Sequence, residues 1–255
     1  MILLVLGGIA VGLLMGALGG GGAILAIPLL VFGLGLSPQE ATVISLIVVG
    51  VGAVTGAASH AKAGNVRLRQ GLLFGLLGAG GAFIGTRLAQ GINGDFLLVM
   101  FAVLLVVVAA TMIRKALGTG RAETRETPMD ARGVTLLVCA ASGVGFLTGF
   151  FGVGGGFAIV PALVLVLGFD MTAAVGTSLL VIAVNSAISF AMHADQAASL
   201  RWDLAIPFAA TVMAATLIGG WLGKRVPKKG LQLGFASFLL VAAAYTASQS
   251  LPNLF

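Results

Sequence analysis

The sequence GGGGAILAIP at residues 19–28 returns as GVGGGFAIVP at residues 152–161. Three pairs of identical residues mark the register of the two copies: Pro28 and Pro161, Ser45 and Ser178, and His60 and His193. Two copies of one apolar unit, each interrupted near its start by glycines, are typical of secondary transporters. The repeat therefore predicts a site where the two glycine clusters meet.

The composition indicates that the solvent of this chain is a lipid bilayer. Of 255 residues, 59% are hydrophobic and 9% are charged, against about 25% charged residues in a soluble domain. The net charge of +6 does not indicate nucleic acid, because the basic residues lie in short connections between apolar stretches, where they report membrane orientation. The single cysteine, Cys139, excludes an intrachain disulfide and is interpreted as a small buried hydrophobic residue.

The apolar stretches form two halves with a polar segment between them. We predict a first membrane repeat at 1–117, a polar cytoplasmic linker at 118–132 and a second membrane repeat at 133–255. The N-terminus begins directly with apolar residues and has no basic region, so a cleaved signal peptide is not expected.

Each half contains one apolar stretch that is too short to cross a bilayer comfortably. Residues 23–35 and 157–168 each follow a glycine cluster, and a helix rises about 1.5 Å per residue against a hydrocarbon core of about 30 Å. We therefore expect two broken or re-entrant elements, at 2–35 and 134–168, each followed by three full spans. The predicted fold class is an all-α polytopic membrane protein with about eight membrane segments in two homologous repeats.

Caps and prolines mark the helix starts and bends. Ser37 is a predicted N-cap, followed by a proline at the first helical position and by Glu40 three residues after the cap. Asp170 occupies the same position in the second copy. Pro28 and Pro161 are expected to shape the two short half-helices.

Charge placement distinguishes two topologies. If each broken element crosses the membrane once, the two halves point the same way and the basic residues are divided between the two sides. If each element returns to its starting side, the halves are inverted, and all but two of the 14 basic residues lie on one side, leaving Arg87 and Arg201 on the other. The positive-inside rule favours the inverted arrangement.

The glycine clusters predict an anion site. Within hydrocarbon, irregular backbone occurs only where it is buried in protein or lines a cavity. A helix that begins there has free N–H groups and a positive dipole end, which together bind anions. We predict that six glycines present backbone N–H groups to the substrate: Gly19, Gly21, Gly22, Gly152, Gly154 and Gly155. The alternative is close helix packing through small residues, a pattern that Gly8, Gly12 and Gly16 fit.

Neutral polar side chains within the spans are predicted to complete this site. Ser45 and Ser178 are equivalent in the two copies, and Asn185 lies seven residues after Ser178, near the same helix face. Hydroxyl and amide donors beside helix N-termini suit a sulfonate, sulfite or carboxylate. Interhelical hydrogen bonding is the alternative role for each of them.

Two further equivalent pairs lie at helix ends. His60 and His193 are interpreted either as gating or proton-relay residues or as interfacial residues in water. Arg87 and Arg225 lie close to connections, where snorkelling is the expected behaviour.

The paired Gly-x-Gly-Gly-x₅-Pro elements, the chain length and the polar central linker resemble the sulfite exporter TauE/SafE family, also called the toluene sulfonate uptake permease family. The resemblance covers essentially the whole chain. It implies an integral transporter of the bacterial inner membrane for sulfur-containing anions such as sulfite, sulfoacetate and other organosulfonates. It selects neither the anion nor the direction. The first cluster carries Ala23 where the second has Gly156, so the two half-sites need not be equivalent.

The sequence as a whole predicts a secondary transporter that moves a small anion by alternating access at a midplane site. An anion channel and, less well supported, an intramembrane serine hydrolase are the alternatives. The expected partners are the anionic substrate and the bilayer, without nucleic acid. A coupling proton or sodium ion and a homodimer stay open options. No cofactor, metal site or enzymatic activity is expected.

Overall fold

The described part of the chain folds into helices. The computed structural model describes residues 2–89, 92, 94–118, 130–151, 156–192 and 200–250, and no strand occurs among them. The helices are α1 (Ile2–Leu18), α2 (Gly21–Pro28, continued by a π-helical turn over Leu29–Gly33), α3 (Pro38–Lys62), α4 (Leu68–Ala89), α5 (Gly94–Leu117), α6 (Ala131–Phe151), α7 (Gly156–Leu165), α8 (Met171–Met192), α9 (Trp202–Gly223) and α10 (Lys228–Ser250). Within these residues, seven helices are long and apolar enough to cross a membrane, and α1, α2 and α7 are shorter. The prediction of an all-α polytopic membrane protein is confirmed.

The predicted break in the first half is present and short. Gly19 has a φ of 79°, and its N–H donates to the carbonyl of Met15 at 2.8 Å, which is the geometry of a glycine that ends a helix. The next helix already begins at Gly21, so Gly21 and Gly22 are helical residues. In the second half α6 ends at Phe151 and α7 begins at Gly156, the last residue of the second cluster.

Both predicted caps are confirmed. Glu40 donates its backbone N–H to the Ser37 hydroxyl, and the Glu40 carboxylate accepts from the backbone N–H of Ser37, each at 3.3 Å. This reciprocal pair is a capping box, and it fixes the start of α3. At the start of α8, Asp170 accepts from the backbone N–H groups of Thr172 and Ala173 at 2.9 and 3.0 Å.

The two halves run in opposite directions. Equivalent helices α3 and α8 are antiparallel, because Gly50 lies against Ser186, while His60, ten residues later, lies against Gly176. Helices α3 and α9 are parallel, since Gly52 meets Val212 and His60 meets Gly220. An antiparallel arrangement of equivalent helices is what an inverted repeat requires.

Each half also contributes its first helix to the other half. Helix α1 packs on α9, and its equivalent α6 packs on α4. Gly8, Gly12 and Gly16 form the α1 side of this contact, and Cβ atoms at Gly8 and Gly12 would lie 3.0 Å from Thr211 Cγ2 and 2.6 Å from Ala215 Cβ. The interpretation of these three glycines as close packing contacts is confirmed.

We call the end of the bundle where α3 begins the first face and the end where α3 finishes the second face. Helices α1, α3 and α9 run towards the second face, and α4, α6 and α8 run back. Each broken element therefore returns to its starting face. Cys139 is exposed on α6, so its interpretation as a buried residue was wrong; the outward surface of a membrane helix is itself apolar and accommodates a thiol.

Candidate functional site

A cavity of about 530 Å³ opens among α3, α4, α6 and α8. Thr42 and Ser45 line it from the start of α3, Thr86 from the last turn of α4, and Met192 from the last turn of α8. These ends all lie at the first face, so the cavity opens there. Its volume falls within the range of small-molecule sites.

The cavity reaches the beginnings of both short helices. Ala23, the third residue of α2, and Gly156, the first residue of α7, both line it. These are the two positions that are equivalent in the repeats. Helix N-termini carry free N–H groups and positive potential, and the deep end of the cavity adjoins two of them.

The lining contains neutral polar groups. Among the described residues that line the cavity there is no charged side chain, and seven residues carry a hydroxyl or an amide: Thr42, Ser45, Thr86, Thr148, Asn185, Ser186 and Ser189. Hydroxyl and amide groups supply hydrogen-bond donors without net charge. The apolar remainder of the lining includes Phe74 and Phe83.

Asn185 is the predicted site residue that the structure places deepest among these polar groups on α8. It lies seven residues, about 10 Å, before the end of α8. Its Oδ1 atom is buried without a hydrogen-bond partner and lies 3.6 Å from where a Cβ on Gly75 would be. Asn185 thus brings to the cavity lining an amide whose oxygen has no partner among the described residues.

The equivalent serines Ser45 and Ser178 have the same local bonding and different surroundings. Each hydroxyl donates at 2.8 Å to the carbonyl three residues earlier, on Thr42 and Val175 respectively. Ser45 lines the cavity, whereas Ser178 is fully buried and touches Gly19. The structure therefore brings only one of the two serines to the cavity.

The glycine clusters meet backbone to backbone, as expected, through Gly20 and Gly156. A Cβ on Gly156 would lie 2.6 Å from the Gly20 carbonyl oxygen. The predicted residues Gly21 and Gly22 do not line the cavity, because they face Phe238 on α10 and Val11 on α1. Three further predicted glycines lie outside the described residues: Gly152, Gly154 and Gly155.

The two prolines fall at different points of their short helices. Pro28 is the last residue of α2 and precedes the π-helical turn, whereas Pro161 lies in the middle of α7. A proline removes one backbone donor from a helix, and a π-turn is one way in which the freed carbonyls are accommodated. Both prolines lie within the short helices, and only the first is followed by a change of helix type; that they shape these helices stays a prediction.

At the second face the equivalent positions are packed. Met15 on α1 corresponds to the cavity-lining Thr148 on α6, and it is fully buried. Thr216 on α9 is also fully buried. It corresponds to the cavity-lining Gly78 on α4, because the α1–α9 contact in one half matches the α4–α6 contact in the other. The cavity at the first face thus has no open counterpart at these positions.

His60 lies within this packed region. Its side chain is 3% exposed, so it is not an interfacial residue in water. Its Nε2 atom lies 3.4 Å from the carbonyl oxygen of Gly16, its Nδ1 atom is buried without a partner, and Gly176 and Gly220 adjoin it. His193 lies outside the described residues.

Sequence reasoning missed the contributions of α4 and α6. Thr86 and Thr148 line the cavity, and Thr86 donates its hydroxyl hydrogen to the carbonyl of Gly149 at 3.2 Å. The available signal was the spacing of Gly145 and Gly149, which corresponds to that of Gly12 and Gly16 in the first copy. That spacing predicts close packing, and the threonines lie beside it.

Comparison with known proteins gives a consistent result. Residues 4–246 match the model of the family described as sulfite exporter TauE/SafE. A probable membrane transporter protein of Xylella fastidiosa (strain Temecula1) is 36% identical over 221 residues, which cover 84% of this chain and 79% of the relative. The probable membrane transporter protein YunE of Bacillus subtilis is 25% identical, with 89% of each chain covered. No solved structure matches this chain.

Proposed function

This chain belongs to the sulfite exporter TauE/SafE family, and we propose that it moves a small sulfur-containing anion across the membrane by alternating access. The chain is a membrane transporter of the inner membrane. The proposal concerns its substrate class, which is sulfite, sulfoacetate or a related organosulfonate, and its mechanism.

The observation that carries the proposal is the position of the cavity. The cavity opens at the first face, whereas the equivalent positions Met15 and Thr216 at the second face are packed. It ends at the first turns of α2 and α7. An anion there gains the free N–H groups and dipoles of two helices, together with the Asn185 amide and the Ser45 hydroxyl. No buried cation is needed, and no carboxylate of the described lining repels the anion.

The inverted repeat supplies the route to the opposite state. If the two halves exchange conformations, the packed positions of the second face become the lining of a cavity open to that face. His60 and the Gly16–Gly220 contact would then separate, which gives His60 a gating role. A channel would instead need both faces open at once.

The loops assign the faces. The helix ends that flank the connections at 62–69, 114–132 and 224–229 lie at the second face, and these three segments of the sequence carry all but two of the 14 basic residues. By the positive-inside rule this face is cytoplasmic, so the 118–132 linker is cytoplasmic and the cavity opens to the outside. A coupling proton or sodium ion and a homodimer stay predictions from the sequence.

Ligand-dependent thermal stability tests the substrate class. The purified protein is heated with sulfite, sulfate, thiosulfate, sulfoacetate, taurine, acetate or chloride. A ligand at about a hundred times its Kd adds roughly 2.7 kcal/mol, which for a chain of this size raises Tm by roughly 5–11 °C. Asn185→Leu should abolish the shift, and Thr111→Val, on α5 and exposed, should keep it. No shift with sulfite, sulfate, thiosulfate or sulfoacetate, the four sulfur-containing anions of the panel, would refute the proposed substrate class.

Cysteine labelling tests the mechanism. In a Cys139→Ser background, Thr148→Cys should react with a membrane-impermeant maleimide added at the first face. Its equivalent, Met15→Cys, should react only at the second face and only when substrate drives turnover. Labelling of both positions from the same face would contradict alternating access and favour a channel.

A further inference from the structure

Two arginines at equivalent positions each stack on the aromatic ring of the residue four positions earlier in the chain. On α4 the Arg87 Cζ atom lies 5.1 Å from the centroid of the Phe83 ring. Arg225 lies in the turn just after α9, and its Cζ atom is 3.5 Å from the centroid of the Trp221 ring on α9. A guanidinium over an aromatic face is held by cation–π attraction, and the repetition of the pair in both halves indicates a shared role.

The first pair lies at the mouth of the cavity. Phe83 lines the cavity and is 60% exposed, and Thr86, next to Arg87, lines it as well. The other basic residue at this face, Arg201, is paired with Asp203 at 3.3 Å. Within the described residues, Arg87 is therefore the cation of the first face that has no carboxylate partner.

The stacked geometry leaves the guanidinium available to an anion. Stacking uses the ring face and consumes none of the five N–H donors of an arginine. The ring also restricts the side chain, so less freedom is lost when the guanidinium binds. A planar fork of donors matches two oxygens of a sulfonate or carboxylate, whereas the cavity beyond it offers only neutral groups.

We propose that Arg87, held over Phe83, is an anion-capture site at the mouth of the cavity, and that Arg225, held over Trp221, is its counterpart at the second face. The inference rests on the proposed function. An arriving anion is attracted from bulk solvent by Arg87 and then passes to the helix N-termini at the deep end. Arg225 performs this step when the protein is open to the second face.

Side-specific transport kinetics in proteoliposomes of defined orientation test the inference, with labelled sulfite and sulfoacetate added to one face at a time. Arg87→Gln should raise KM for substrate at the first face roughly three- to tenfold, with Vmax and the second-face KM unchanged. Arg225→Gln should raise only the second-face KM. Added salt should raise the first-face KM of the wild type and have little effect in Arg87→Gln.

Three variants serve as controls. Arg201→Gln removes the other arginine of the first face and should leave both KM values unchanged. Arg87→Lys keeps the charge and should restore part of the affinity, and Phe83→Leu, which keeps the arginine but frees it, should give an intermediate KM.

The outcomes separate the two proposals. Saturable flux in the wild type with an unchanged first-face KM in Arg87→Gln would overturn the capture site and leave the transport function standing. A loss of rate at both faces would also overturn it, because that result assigns Arg87 to the conformational change. Absence of saturable flux in the wild type would overturn the proposed function, and the capture site with it.

Discussion

The contact between Gly20 and Gly156 gives the sharpest test of this architecture. A Cβ on Gly156 would lie 2.6 Å from the Gly20 carbonyl oxygen, and a Cβ on Gly20 would overlap the backbone of Gly156. Ordinary contact needs about 3.5 Å, so Gly156→Ala must push the starts of α2 and α7 apart by about 1 Å, and Gly20→Ala must push them further. In both variants the new methyl group would meet backbone atoms, which cannot move aside as a flexible side chain could. Overpacking of this kind costs about 1–3 kcal/mol, so Gly156→Ala should lower Tm by roughly 2–12 °C.

Thermal unfolding of the purified variants measures this effect, and two matched controls are available. Gly143→Ala places the same methyl group on α6 with nothing within 4 Å and should be neutral or slightly stabilising, since alanine favours helix over glycine by about 0.5–1 kcal/mol. Gly21→Ala meets the Phe238 ring at 3.3 Å and Leu18 Cβ at 3.9 Å, and it clashes with no backbone atom, so its effect should be small. If Gly156→Ala and Gly20→Ala unfold at the wild-type temperature, the starts of α2 and α7 are not in contact. The deep end of the cavity then does not lie where these two helices begin.

Three further substitutions have definite expected outcomes. Asp170→Ala removes the cap of α8 and should cost about 0.5–2 kcal/mol in thermal unfolding; an unchanged Tm would contradict the cap. Ser45→Ala should weaken the anion-induced rise in Tm, whereas Ser178→Ala, buried at the equivalent position, should keep it; equal losses would refute the assignment of Ser45. His60→Leu removes a buried nitrogen without a partner, which costs the folded state about 1–3 kcal/mol, so the variant should have a higher Tm and a slower flux. A faster flux would refute the gating role of His60.

The sequence predicted those parts of the fold that depend on local signals. Gly19 ends a helix because a left-handed residue is needed there, and Ser37 with Glu40 fixes a helix start wherever it occurs. The inverted arrangement was also predictable, because lysines and arginines in loops report membrane side directly. None of these inferences required knowledge of which helix touches which.

The composition of the site depends on tertiary contacts and was only partly predictable. Asn185 and Ser45 were found because polar groups inside a span are costly and therefore informative. Gly21 and Gly22 were predicted to bind the substrate but face Phe238 and Val11. The sequence does not separate these two roles, because a glycine at a helix start is equally compatible with binding and with packing. Thr86 came to the cavity through the α4–α6 contact; the spacing of Gly145 and Gly149 indicates close packing of α6 but does not name α4 as its partner.

The differences between the two copies carry a consequence for transport. Asn185 corresponds to Gly52 and Ser186 to Ala53 in the first copy. After an exchange of conformations, the cavity at the second face would contain Ser178 and Thr216 but no amide, and Lys224 would stand at the position of Thr86, so the two faces should bind the anion with different affinities. Such a difference changes the rates of capture and release but cannot drive net flux, because without a coupled gradient both directions share one equilibrium. The direction of transport must therefore come from the anion gradient or from a coupling ion, and flux measured with and without imposed proton and sodium gradients distinguishes these sources.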